Sequence, residues 1–177
     1  MTRKVVNNGG CPHFPKQLEF TKDEKTGRPH LQALYQHWRP GAGLQREDQF
    51  SDGTLRLIGL IWSLLEGESP LLLEEPELSL NAGIVSQLAP LIYRAQRAKR
   101  RQVIISTHSE ALLGDKGIDG SEVLMLVPKL EGTRVTNADD DSEVKNLLSQ
   151  GFDISEVVLP RVRPSEVERV SQISLFN

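Results

Sequence analysis

One cysteine in 177 residues, Cys11, leaves no partner for an internal disulfide. The chain therefore suits a reducing compartment, and a cytoplasmic location is expected. Apolar runs of membrane-spanning length are absent. The longest, Leu57 to Leu65, is interrupted by Gly59 and Ser63, so no membrane association is expected. The opening stretch MTRKVVNNGG has no apolar core and does not read as a signal peptide. Positive charge is not in excess: 21 Lys and Arg stand against 24 Asp and Glu, a formal net charge of −3. That balance excludes a strongly basic nucleic-acid-binding face as the dominant feature while leaving room for a local patch. Internal repeats, low-complexity blocks and coiled-coil heptads are missing too. What remains has 38% hydrophobic and 25% charged residues, the balance of one ordinary domain with a buried core.

Along the chain, residues 1–15 hold two adjacent Gly, two Pro and two Asn without periodicity, and read as an irregular N-terminal segment. Lys16 to Lys22 and His30 to His37 read as strands, with Thr26-Gly27 as the turn of an antiparallel hairpin. Arg39 to Gln49, with Pro40, Gly41 and Gly43, reads as a loop. Leu55, Leu57, Ile58, Leu60, Ile61, Leu64 and Leu65 then predict a helix apolar over most of its circumference, hence largely buried, with Ser51 or Asp52 as its cap. Leu71 to Leu73 suits a central parallel strand. Ala82 to Arg100 predicts a single helix with Ile84, Leu88, Leu91, Ile92 and Ala95 inward and a basic end that suits the helix dipole. Val103 to Ser106 is a further short strand, Ser109 to Leu113 a brief helix, and Glu122 to Val127 and Thr133 to Val135 are strands about Glu131-Gly132. Asn137 to Asp141 reads as a solvated acidic link. Beyond it, helical pieces are split by Gly151, Pro160 and Pro164. Alternating strands and helices predict an α/β fold with a parallel sheet, whose chemistry gathers at the carboxyl ends of the strands.

Three clusters fall where that chemistry is expected. Glu74 and Glu75 follow the apolar strand at once. Paired carboxylates beside a buried strand need a cation, hydrogen bonds or a substrate proton in compensation. One acid holding Mg²⁺ through water while the other polarises a nucleophilic water is one reason for such a pair; a solvated turn is the plainer alternative. Thr107-His108-Ser109 ends the next strand one crossover later, so His108 falls on the same sheet edge and within reach of a phosphate near Glu75. Ordinary hydrogen bonding is the alternative for a lone histidine. Upstream, Ser51-Asp52-Gly53-Thr54 opens a helix with a hydroxyl, a glycine and free N–H groups, which is either an anion site or a simple cap.

FSDGT, LLLEEPELSLN and STHS, in that order, resemble the signature motif, the Walker B strand with D-loop, and the switch histidine of ABC-type ATPase heads, in particular the RecF/OLD-like branch, with SMC proteins as more distant relatives. The resemblance covers Gln49 to Val127. It implies the C-terminal lobe of a P-loop NTPase fold preceded by the antiparallel hairpin, with ATP and Mg²⁺ as cofactors. It implies that Glu75 orients the attacking water, Glu74 holds Mg²⁺ through water and His108 lies near the γ-phosphate. Glu77 to Asn81 then forms the D-loop across a dimer interface, and Ser51, Asp52 and Gly53 bind ATP held by the opposite head. The chemistry implied is phosphoryl transfer to water. The expected parts are residues 1–48 as N-terminal segment and hairpin, 49–136 as ATPase lobe and 137–177 as helical extension and tail.

Two departures alter the expectation. The metal acid of this family is usually Asp, and Glu74 is longer. No G-x-x-x-x-G-K-[ST] occurs: Gly41-Ala42-Gly43 runs on into Leu44, Gln45 and Arg46. The chain alone is therefore expected to be inactive, completed by a phosphate loop on another segment or chain, to associate as a homodimer or with a partner ATPase segment through the ATP interface, and to be coupled to DNA or a nuclease in repair or phage defence. The chain is then either a fragment of a longer protein or a natural half. The rival reading is a non-catalytic half-head that docks onto a full ATPase. Finally, Gln172, Leu175 and Phe176 resemble the short motif by which bacterial proteins bind the sliding clamp, two apolar anchors and one polar contact. A clamp-binding adaptor is thus a further alternative, and a tail packed on its own domain the plain one.

Overall fold

The structure, a computed structural model, describes residues 5–6, 17–35 and 43–164. They divide into two units, residues 1–58 and 59–177.

The first unit is built on a four-stranded antiparallel sheet rather than a lone hairpin. Val5–Val6 (β1), Gln17–Lys22 (β2), Pro29–Leu34 (β3) and Leu44–Arg46 (β4) pair in that order. The β2–β3 turn forms where Thr26-Gly27 predicts it. Asp23 Oδ1 accepts from the Lys25 and Thr26 amides, and Gly27 takes φ 67°, the left-handed conformation glycine tolerates. Two segments read as irregular turn out paired: β1 aligns Val5 with Leu18, and β4 aligns Leu44 with Leu34. They are only two and three residues long, and the open edges of β2 and β3 supply their hydrogen-bond partners. The strand expected to reach His37 is described as ending at Leu34. Behind β4, Glu47–Gln49 makes a short 3₁₀ turn whose Glu47 reaches back to β3: Oε2 accepts from the Leu31 amide at 2.8 Å and Oε1 meets His30 Nδ1. That contact with His30 holds the Glu47 carboxyl below its ordinary range. Tyr35 packs edge-on against Phe50, and burial pushes its phenol up.

Asp52–Leu65 (α1) leaves this unit and enters the second. Ser51 Oγ accepts from the Thr54 amide at 3.2 Å, the capping contact the sequence predicts. The helix is less buried than its composition suggests. Leu57, Leu60 and Leu64 are buried, whereas Leu55, Trp62 and Leu65 are exposed.

In the second unit Leu71–Glu74 (β5) and Val103–Ser106 (β6) form a parallel pair in the register Leu71↔Val103 to Glu74↔Ser106. Between them the chain makes two helices, Ala82–Val85 (α2) and Leu88–Lys99 (α3), instead of one. The cause is Pro90. A continuous helix needs its N–H on the Ser86 carbonyl, and proline has none; in the third position of a new helix the missing donor costs nothing. Leu88 and Ile92 are buried as expected. Ser109 caps Glu110–Leu113 (α4) by accepting from the Leu112 amide.

Leu124–Lys129 (β7) does not extend the parallel pair. It turns through Leu130-Glu131 into Gly132–Asn137 (β8) as a separate antiparallel hairpin. The residues read as a solvated acidic link form a capping turn. Asn137 accepts from the Asp139 amide, Ala138 is wholly buried, and Asp141 Oδ1 accepts from the Glu143 and Val144 amides to start Ser142–Ser149 (α5). Gly151, at φ 95°, separates α5 from Ile154–Val162 (α6). Pro160 lies inside α6 rather than ending it. The core here joins Met125, Ala138, Val144, Ile154, Val157 and Val158. The fold is α/β, with a parallel pair flanked by helices and an antiparallel sheet ahead of it. Among the described residues no helix is long and apolar enough to cross a membrane.

Candidate functional site

Parallel pairing brings both strand ends to one edge of the sheet. Glu74 is the last residue of β5, exposed, opposite Ser106. The next residue, Glu75, takes φ 41°, a left-handed backbone that non-glycine residues seldom adopt and that is held only where surroundings over-determine it. Two hydrogen bonds hold it: the Glu75 amide donates to the Ser106 carbonyl at 2.9 Å, and the Leu78 amide donates to the Glu75 carbonyl at 3.1 Å. The second strand end presents His108, whose Nε2 lies 3.4 Å from Glu75 Oε1. The imidazole is 82% exposed and the carboxylate 32%. This is an ion-pairing distance rather than a tight hydrogen bond, so both groups keep capacity for a ligand or a water.

Beneath that pair lies a contact the sequence reading missed. Thr107 Oγ1 donates to Glu77 Oε1 and accepts from the Ser109 amide. The other oxygen of Glu77 is buried and has no hydrogen-bond partner among the described residues. The available signal was position: Glu77 follows the acids by two residues and Thr107 precedes His108 by one, so equal strand lengths bring them level. Asn81 caps α2, its Oδ1 accepting from the Gly83 amide at 2.9 Å, and Ser79 before it takes φ 63°. The Glu77–Asn81 segment is thus a series of tight turns held at both ends.

Arg101 was also missed. It is buried, and its guanidinium donates to the carbonyls of Ser63, Glu66 and Ser69 at 2.6–2.9 Å. These carbonyls end α1 and lead into β5, so Arg101, two residues before β6, fixes where β5 begins.

Ser51, Asp52 and Gly53 open α1 in the first unit. Ser51 Oγ lies 2.9 Å from Thr54 Oγ1, and Asp52 pairs with Arg56 one turn on. Gln172, Leu175 and Phe176 lie outside the described residues.

Among the described residues no group of three His, Cys, Asp or Glu is placed to hold a metal alone. The donor set at the strand end, an exposed Glu74 carboxylate beside Ser106, fits Mg²⁺, which keeps most of its shell as water and phosphate oxygen and takes one or two carboxylates from the protein.

No curated protein sequence matches the chain. A solved structure from work on the structural biochemistry of ATP-driven dimerization and DNA-stimulated activation of SMC ATPases shares the fold, with a TM-score of 0.54 at 15% identity over 77% of this chain and 81% of that one. Residues 12–114 match the family described as "AAA domain, putative AbiEii toxin, Type IV TA system". That span covers more than half of the chain, including both strand ends and the α1 N-terminus, and the chain belongs to this AAA domain family of ATPases.

Proposed function

We propose that the chain provides the hydrolytic edge of an ABC-type ATPase site, in which Glu75 orients the attacking water and His108 contacts the terminal phosphate. The observation that carries this reading is the 3.4 Å approach of His108 to Glu75 across two parallel strand ends. Proton transfer needs a positioned carboxylate next to the water, and charge developing on the phosphoryl oxygens needs a donor. Glu74 would hold Mg²⁺, which supplies charge neutralisation between phosphates when bound. In this reading residues 49–136 form the ATPase lobe. Ser51, Asp52 and Gly53, at a helix N-terminus, face ATP held by a second head, and Asn81 ends the loop that crosses to it.

The phosphate loop itself comes from another segment or from a partner ATPase, since a second copy of this sequence lacks it as well. Sheet burial supports this. Parallel sheets are covered on both faces, yet the register partners Leu72 and Ile104 are 72% and 49% exposed. DNA is the partner we favour for coupling; the SMC ATPases of the similar structure are described as DNA-stimulated. A role in repair or phage defence and clamp binding through Gln172, Leu175 and Phe176 rest on sequence resemblance alone.

In the assembled ATPase, Glu75→Gln should abolish turnover while nucleotide stays bound, because the amide keeps the size but cannot take a proton. Steady-state phosphate release beside nucleotide retention on a desalting column tests it. Near-normal turnover removes Glu75 from the chemistry. The chain alone should bind Mg-ATP weakly in calorimetry, and low-micromolar affinity would contradict the need for a second segment.

A further inference from the structure

The chain is acidic overall, but its charge is unevenly placed. Between Glu77 and Glu110 there is no Asp or Glu, and the same stretch carries Arg94, Arg97, Lys99, Arg100 and Arg101. Arg101 is consumed by the three carbonyls that surround it. The other four are exposed on the second half of α3 and at its end, and none forms a salt bridge among the described residues. Tyr93, Arg97 and Arg100 recur at i, i+4 and i+7, the spacing of one helix face, and Arg94 borders it. Tyr93 is 57% exposed, and the Arg97 guanidinium lies over its ring, 5.8 Å from the centroid.

The helix dipole accounts for Arg97 and Lys99, in the last turn, but not for the whole face. A helix dipole favours cations only in the last turn, and Arg94 stands before it. Arg100 closes the helix at φ 52°, a left-handed position where glycine is the easy residue and a long side chain is strained. A cation occupies that position at a conformational disadvantage.

We propose that the Tyr93–Arg94–Arg97–Arg100 face of α3, with Lys99 at its border, binds the phosphate backbone of duplex DNA. Guanidinium groups match phosphate oxygens in pairs, and an exposed ring within a cationic face suits sugar and base edges. The choice of DNA over other polyanions rests on the DNA-coupled reading above; the cationic face stands on the charge distribution alone.

The test uses the full chain, a short labelled DNA duplex and fluorescence anisotropy without nucleotide, so it is independent of the fate of Glu75. Binding should show a dissociation constant on the order of micromolar and weaken steeply between about 50 and 200 mM salt. R94Q/R97Q/K99Q/R100Q should weaken it at least about tenfold and flatten the log–log salt slope by about one per cation removed. R100G separates binding from folding, since it should weaken binding while the melting temperature stays level or rises. An affinity and salt slope unchanged by the fourfold substitution would overturn the proposal. So would binding to phosphatidylserine vesicles with no DNA binding, which would assign the face to a membrane surface.

Discussion

The hydroxyl of Thr107 donates to Oε1 of Glu77, tying the loop after β6 to the turn after β5. These are the segments that carry His108 and Glu75, so the bond fixes the separation of the two site residues. Thr107→Val keeps the shape but leaves both Glu77 oxygens without a partner. It should lower stability by about 1–2 kcal/mol, read from the midpoint of urea denaturation. Thr107→Ser, which retains the hydroxyl, should lose less than about half of that. A smaller loss in Thr107→Val than in Thr107→Ser would mean that the methyl group, not the bond, matters.

Arg101 satisfies three carbonyls between α1 and β5. Arg101→Met fills similar space and leaves all three without that donor. A cost of about 3 kcal/mol is expected, since bonds from charged donors are the stronger ones and do not add fully. Arg101→Lys should recover only part, because one ammonium cannot reproduce a fork reaching carbonyls on several sides. Thermal melts of the three proteins decide it, and a fully stable Lys variant would contradict the geometric argument.

Acid should weaken the first unit through Glu47. Its carboxyl is held below the ordinary range, chiefly by the contact with His30 and also by the Leu31 amide. A depressed carboxyl favours the folded state at pH above the unfolded value, about 4.3, and that contribution is lost as pH falls through the folded value. Asp23 and Asp119, lowered by bonds from Thr26 and Ser121 respectively, act in the same direction. Stability measured by denaturant titration should therefore decline below about pH 4.3, and Glu47→Gln should make that decline shallower. An unchanged acid limb in the variant would remove Glu47 from the account.

The tail prediction is independent of the fold. A peptide spanning Gln172 to Phe176 should bind a bacterial sliding clamp with a dissociation constant on the order of micromolar, since two apolar anchors bury little area. Replacing Leu175 and Phe176 with Ala should remove binding. Anisotropy of the labelled peptide reads the interaction directly. The same double change in the full chain should leave the melting temperature in place; a drop of several degrees would place these residues in the chain's own core.

Local sequence determined much of this protein. Serines placed before apolar-periodic segments became the caps of α1 and α4, Thr26-Gly27 made its turn, and short β-branched and leucine runs became β5 and β6. The approach of His108 to Glu75 was legible as well, because a single crossover between parallel strands aligns their carboxyl ends. The break before Pro90 was written in the sequence, but the apolar stripe on either side masks it. Tertiary structure alone decided what depends on a distant partner. Leu44–Arg46 is a strand only because β3 offers an edge. Arg101 and Glu77 gained their roles from carbonyls and a hydroxyl about thirty or more residues away. Periodicity reports which residues prefer burial or a given backbone; which polar group meets which is set by the closure of the chain, and no local window contains both partners.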